Sequence, residues 1–175
     1  MTIDDALSRW HWRSAHAARV AAPRERADAA MRAFSVRDLP LTGALMRARG
    51  LGRRVFDDRP LLQSMARIGM VVLVDEPETI VLAGVLSPWR LRGGHRAIGS
   101  LDAFHAFATP GWVRVATAFT VEGDGVGSRV GTETRIEATD DAARRRFGRY
   151  WRLIGPFSSI TRREMQSAIR RRAEA

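Results

Sequence analysis

Residues 112–172 read WVRVATAFTVEGDGVGSRVGTETRIEATDDAARRRFGRYWRLIGPFSSITRREMQSAIRRR, and this stretch decides the fold. Two segments, Trp112 to Glu122 and Ser128 to Thr139, alternate apolar and polar residues on either side of Gly123-Asp124-Gly125-Val126-Gly127. Val113, Val115, Thr117, Phe119 and Val121 share one face of the first segment, and Val130, Thr132, Thr134, Ile136 and Ala138 share one face of the second. Period-two alternation of this kind predicts strands with one face in a core and a charged face in water, which is the habit of antiparallel sheets. The glycine-rich segment joins strand to strand. It therefore lacks the helix N-terminus that a phosphate loop uses and predicts a hairpin turn.

From Asp140 to about Arg172 the period changes to that of a helix. Ala143, Phe147, Tyr150, Trp151, Ile154, Phe157, Ile160, Met165 and Ile169 form one apolar stripe, with Arg144, Arg145, Arg149, Arg152, Arg162, Arg163 and Arg170 mostly opposite. Gly155-Pro156 interrupts the stripe and predicts a bend, because proline removes a helical hydrogen bond. A helix of this length needs a broad curved sheet to lie on, and a helix across a curved sheet suggests a container.

Upstream, Trp10 to Val20 predicts a first strand, and Pro23 opens a helix running to about Ala33 whose Ala27, Ala30, Met31 and Phe34 face inward. A second short helix over Leu39 to Ala48 stops before Gly50-Leu51-Gly52. Arg53 to Pro60 reads as a loop, and Leu61 to Ala66 as either a helical turn or an extended edge. Met70 to Val74 and Thr79 to Leu86 predict a hairpin about Asp75-Glu76-Pro77-Glu78. Pro88 to Gly99 reads as a short strand pair or a loop, and Ser100 caps a short helix over Leu101 to Phe107.

The chain has 175 residues and no cysteine, so it can bury roughly two thirds of its surface in one core and uses neither disulfides nor thiolate chemistry. The N-terminus carries acids where a secretory signal carries cations, and no run approaches the roughly 18 apolar residues of a membrane span. A soluble, cytoplasmic protein is expected. Its net charge is +10, and all its Lys+Arg residues are arginine. Such a surplus suits anionic partners, whether nucleic acid, membrane or acidic small molecule, although a solvated basic surface explains it equally.

The order strand, two short helices, antiparallel strands and a long C-terminal helix is that of the α+β helix-grip (Bet v 1/START-like) fold. The segments His16-Ala17-Ala18-Arg19-Val20-Ala21-Ala22-Pro23, Gly131-Thr132-Glu133-Thr134-Arg135 and Arg146-Phe147-Gly148-Arg149-Tyr150-Trp151-Arg152-Leu153-Ile154 resemble an actinobacterial-type branch of the START-like (SRPBCC) superfamily, of the polyketide cyclase/dehydrase and lipid-transport-like kind. The resemblance implies one ligand-binding domain over 1–175, with about seven strands gripping the last helix around a cavity for an apolar or amphipathic ligand such as a lipid or polyketide. Seven strands require one from Pro88 to Gly99. The resemblance implies a fold more strongly than an activity.

The expected wall of that cavity is His16, Thr117, Phe119, Thr132, Thr134, Phe147, Tyr150, Trp151 and Ile154. The same residues would serve as plain core, yet three threonines on an inward face favour a pocket, because a dry core uses valine more cheaply. If the protein is instead an enzyme of the cyclase type, His16, Thr132, Thr134 and Tyr150 are the candidates for moving protons. Asp102 and His105 have a spacing that lets a carboxylate orient an imidazole, but no third ligand accompanies them, so no metal and no cofactor are called for. Glu133 and Arg135 read as a cross-strand charge cluster with Arg114. Binding of nucleic acid or anionic membrane through the arginines of the last helix remains the alternative, weakened for nucleic acid by aromatics that fall on the apolar side.

Overall fold

The computed structural model describes residues 1–48, 59–67, 69–90 and 94–175; the expected glycine stop after the second helix, and most of the loop expected over 53–60, fall outside them. The elements run α1 (Ile3–Ala6), β1 (Trp12–Val20), α2 (Arg24–Ala33), a 3-10 turn (Val36–Asp38), α3 (Pro40–Ala48), α4 (Leu61–Arg67), β2 (Met70–Glu76), β3 (Thr79–Leu86), β4 (His95–Arg96), α5 (Leu101–Ala106), β5 (Val113–Asp124), β6 (Gly127–Ala138) and α6 (Asp141–Glu174). The ambiguous 61–66 stretch is helical.

The strands form one antiparallel sheet in the order β1-β6-β5-β3-β2, with β4 pairing the far end of β3 beyond β2. Among the described residues there are six strands, not seven: Pro88 to Gly99 supplies only the two-residue β4. Both hairpin turns are two residues long, and each has a left-handed position, Glu78 at φ 66° after Pro77 and Gly125 at φ 68°. Glycine takes that conformation without strain, which matches the glycine-rich β5–β6 turn.

The predicted inward sets of β5 and β6 do face the core. Val113, Val115, Phe119, Val121, Val130 and Ile136 pack with Met31, Phe34 and Leu39 from the α2–α3 segment and with Phe147, Met165 and Ile169 of α6. The opposite face departs from expectation. It is not simply charged and wet: Ile3, Leu7, Ile98, Phe104 and Trp112 bury Val81, Val85, Ala116 and Ala118. β3 is apolar on both faces and is buried along its middle, and the outer positions of β5 hold small alanines on which α1 and α5 can lie. Arg90 and Arg96 approach the Trp112 ring at 4.9 and 5.0 Å, within cation–π range.

Helix α6 starts at Asp140, whose side chain accepts from Ala143 N (2.9 Å) and from Gly111 N ahead of β5. Farther along, Glu164 accepts from Leu41 N (2.7 Å), Thr42 N (2.8 Å) and Thr42 Oγ1 (2.7 Å), capping α3 from another element. Arg172 pairs with Asp38, and Glu174 accepts from Ala21 N. The helix is continuous through Pro156. Among the described residues no helix is long and apolar enough to cross a membrane.

Candidate functional site

Sheet register places the candidate residues in two rungs. Ser14 faces Thr134, which faces Thr117; His16 faces Thr132, which faces Phe119. The rungs continue to Leu82 and Ile80 of β3, so the inner face is polar toward β1 and apolar toward β3. Thr117, Phe119, Thr132, Thr134 and Phe147 are buried, whereas His16, Tyr150, Trp151 and Ile154 are half-buried.

Two of the three threonines satisfy each other: Thr117 Oγ1 and Thr134 Oγ1 are 2.8 Å apart. Their hydroxyls need no ligand, which removes part of the reason for reading them as pocket polar groups. Thr132 is different. Its Oγ1 accepts from Nη1 of Arg162 at 3.2 Å. Arg162 was expected among the water-facing arginines and is instead 8% exposed, on the inner side of α6. Its Nε has no hydrogen-bond partner, nor does Nε2 of Gln166 one turn on, which is 7% exposed. Burial holds the Arg162 guanidinium down at about 10, still a cation at neutral pH. His16, 3.3 Å from Ser14 Oγ through Nε2, is held below its ordinary value by burial and then by the fields of Arg162 and Arg163.

At the other end of the helix stands an aromatic group. Phe147 lies 4.6 Å from Trp12, 5.6 Å from Trp151 in a stacked arrangement, 5.8 Å from Tyr150 and 6.5 Å from Trp89. The Trp89 Nε1 donor is buried without a partner. Trp12, Trp89, Arg162 and Gln166 were all missed as site residues. Edge aromatics, and an arginine at the border of a stripe, carry no sequence signal that separates them from surface.

Phe157 and Ile160 also depart from the expected stripe: both are 44% exposed, beside Leu153. With Phe147 as reference, the helical phase carries these three to the outer side, while Ser158 and Thr161 take the inner positions between Ile154 and Met165. The inward face of α6 thus turns polar at its middle.

The charged groups on the outer face are structural. Arg114 pairs with Glu137 rather than with Glu133 or Arg135, and also donates to the carbonyls of Phe104 and His105. Glu133 bridges Arg13 and Arg135, and its hydrogen bond from Arg13 leads the effects that pull its carboxyl to about 2. Arg135 donates to Asp4 (2.7 Å) and Leu7 O (3.0 Å) under the Trp10 ring at 4.2 Å. His105 Nε2 is 3.0 Å from Ala6 O, so this imidazole ties α5 to α1. Among the described residues no cluster of three or more metal-ligating side chains occurs. Two open hollows of about 400 and 430 Å³ lie against the outer side of β1, β5 and β6, away from α6.

These features define an α+β protein with an antiparallel sheet and a long C-terminal helix, consistent with a helix-grip arrangement. No protein-family model matches the chain, and no curated protein matches it. Among solved structures, TTHA0849 from Thermus thermophilus aligns over 93% of this chain and 97% of its own at 13% identity and a TM-score of 0.37. Ara h 8.0201 aligns over 90% and 97% at 7% identity and a TM-score of 0.31. Likenesses at this level bear neither on the details of the fold nor on function.

Proposed function

We propose that the chain is a START-like ligand-binding domain that holds a hydrophobic or amphipathic small molecule, a lipid, polyketide or similar, between the inner face of the sheet and α6. The supporting observation is the make-up of the facing surfaces. Half-buried aromatic rings and buried hydrogen-bonding groups without protein partners stand where a dry core would be aliphatic. Ser14, His16 and Ala18 on β1, and Trp151, Ile154, Ser158 and Thr161 on α6, all keep partial exposure. In this reading the middle of the helix roofs a cleft over β1, with Trp12, Trp89, Tyr150 and Trp151 as its apolar lining.

A cyclase-type role is less favoured, because Thr134 is engaged with Thr117, Thr132 with Arg162 and His16 with Ser14. Holding a ligand asks nothing more of these groups. Native mass spectrometry of protein purified from its host should show a retained apolar molecule, and N-phenyl-1-naphthylamine should gain fluorescence on binding. Ile154→Trp, at a half-buried position, should block that uptake. A protein that is always empty and takes up no dye overturns the reading.

One observation favours a second reading, contact with an anionic membrane surface. The exposed stripe Leu153, Phe157, Ile160 is flanked by exposed Arg149, Arg152 and Arg163, the pattern of an interfacial helix. Co-sedimentation with phosphatidylserine vesicles at low salt, lost at high salt and in Phe157→Ser, is the expected result; no sedimentation at low salt removes this reading.

A further inference from the structure

The sheet-facing side of α6 holds a buried cation with no counter-ion among the described residues. Arg162 donates one hydrogen bond, to Thr132, and leaves Nε unpaired; Gln166, one turn away, leaves Nε2 unpaired. Among the described residues no carboxylate pairs with Arg162. The inner-face positions of β1, β5 and β6 around it are Ser14, His16, Thr117, Thr132 and Thr134, none acidic, and the nearby Glu164 is committed to the N-terminus of α3.

The other deeply buried arginine among the described residues shows what satisfaction looks like. Arg135, on the outer face, has Glu133, Asp4, the Leu7 carbonyl and the Trp10 ring, and its pKa is raised despite burial. Arg162 has none of these, and its pKa falls through burial alone. An uncompensated buried cation is unfavourable enough that cores avoid it unless something supplies the charge.

We infer that Arg162, Gln166 and Thr132 form an anion-binding subsite at the polar end of the cleft, so that the ligand is an amphipathic acid with a carboxylate, sulfonate or phosphate head. This inference rests on the cleft proposed above. The guanidinium Nε–H and the Gln166 amide N–H donate to the head, while Nη1 stays held by Thr132, which orients the fork. Trp151 stands 11 residues earlier, about 16 Å along the helix. A head at Arg162 thus places the apolar body along the underside of α6 toward the aromatic group.

The test uses two dyes that share one apolar body and differ by a sulfonate, 1-anilinonaphthalene-8-sulfonate and N-phenyl-1-naphthylamine, titrated at about 0.15 M salt, where the Debye length is about 8 Å and surface attraction is damped. The wild-type protein should bind the sulfonate at least tenfold more tightly. Arg162→Gln should lose that preference while keeping its affinity for the neutral dye, Gln166→Leu should weaken the sulfonate several-fold, and exposed Arg170→Gln should change neither. Equal affinities in the wild type, or an unchanged preference in a folded Arg162→Gln protein, overturn the anion subsite and leave the cleft standing. Uptake of neither dye overturns the cleft itself. Should Arg162→Gln fail to fold, the wild-type comparison and Gln166→Leu still decide.

Discussion

Two buried arginines with opposite surroundings carry most of what individual residues say about this protein. Arg162 is buried without a counter-ion, so Arg162→Met should make the ligand-free protein more stable by about 1–3 kcal/mol, as replacement of buried charges by apolar groups of similar size often does. In a thermal melt that corresponds to a rise of roughly 2–12 °C for a chain of this size; a fall instead would mean that Arg162 is a satisfied structural group. Arg135 works in the other direction through Glu133, whose carboxyl lies at about 2 against an ordinary 4.5. Because the folded value is the lower one, its stabilisation is complete above about pH 4.5 and disappears as the pH falls toward 2. The contribution is on the order of 1–3 kcal/mol, toward the lower end because Arg13 is half exposed. Denaturant titrations of Glu133→Gln should show a correspondingly flatter loss of stability over that pH range.

Among the elements, α6 organises the molecule through side chains that finish the hydrogen bonding of others. Glu164 takes the first free N–H groups of α3, which otherwise have no partner at a helix start. Glu164→Ala should therefore cost about 1–2 kcal/mol and speed amide exchange selectively in α3. Unchanged exchange there would mean that the cap contributes nothing. Pro156 sits in the segment where the inward face of α6 is polar and the outward face apolar. The hydrogen bond lost at Pro156 falls in that middle segment, apart from Phe147, Met165 and Ile169, through which the helix closes the core.

For the molecule as a whole, the inner face of the sheet is covered by α2, α3 and α6 and part of the outer face by α1 and α5, and the side under α6 mixes aromatic and unpaired polar groups. Ligand binding should appear as stabilisation by mass action: 1-anilinonaphthalene-8-sulfonate at about 100 times its dissociation constant should add about 2.7 kcal/mol. Differential scanning calorimetry should show that gain in the wild type and lose most of it in Arg162→Gln at the same dye concentration. Among the described residues, part of the positive charge is paired and part is not. Arg13, Arg19, Arg24, Arg32, Arg114, Arg135 and Arg172 pair with carboxylates, while Arg144, Arg145, Arg146, Arg149 and Arg152 crowd the exposed side of α6.

Local pattern determined most of the elements and the inward faces of β5 and β6. Period-two alternation marked β5 and β6, the glycine turn joined them, and a helical stripe marked α6, because each signal depends only on residues near in sequence. The strand count failed at Pro88 to Gly99, where among the described residues the strand is the two-residue β4, too short to carry an alternation. The outer face differs from expectation because α1, far from β5 in the chain, folds back over it together with α5. The site divides the same way. The burial of Thr117, Thr132, Thr134 and Phe147 was legible from strand parity and helix phase, but parity cannot show that two threonines bond to each other while the third holds an arginine. Arg144 and Arg162 make the point most directly: they are 18 residues apart, about five turns, and share one helical phase. Arg144 is exposed and Arg162 is buried, because only the sheet beneath decides which part of one helical face is roofed over.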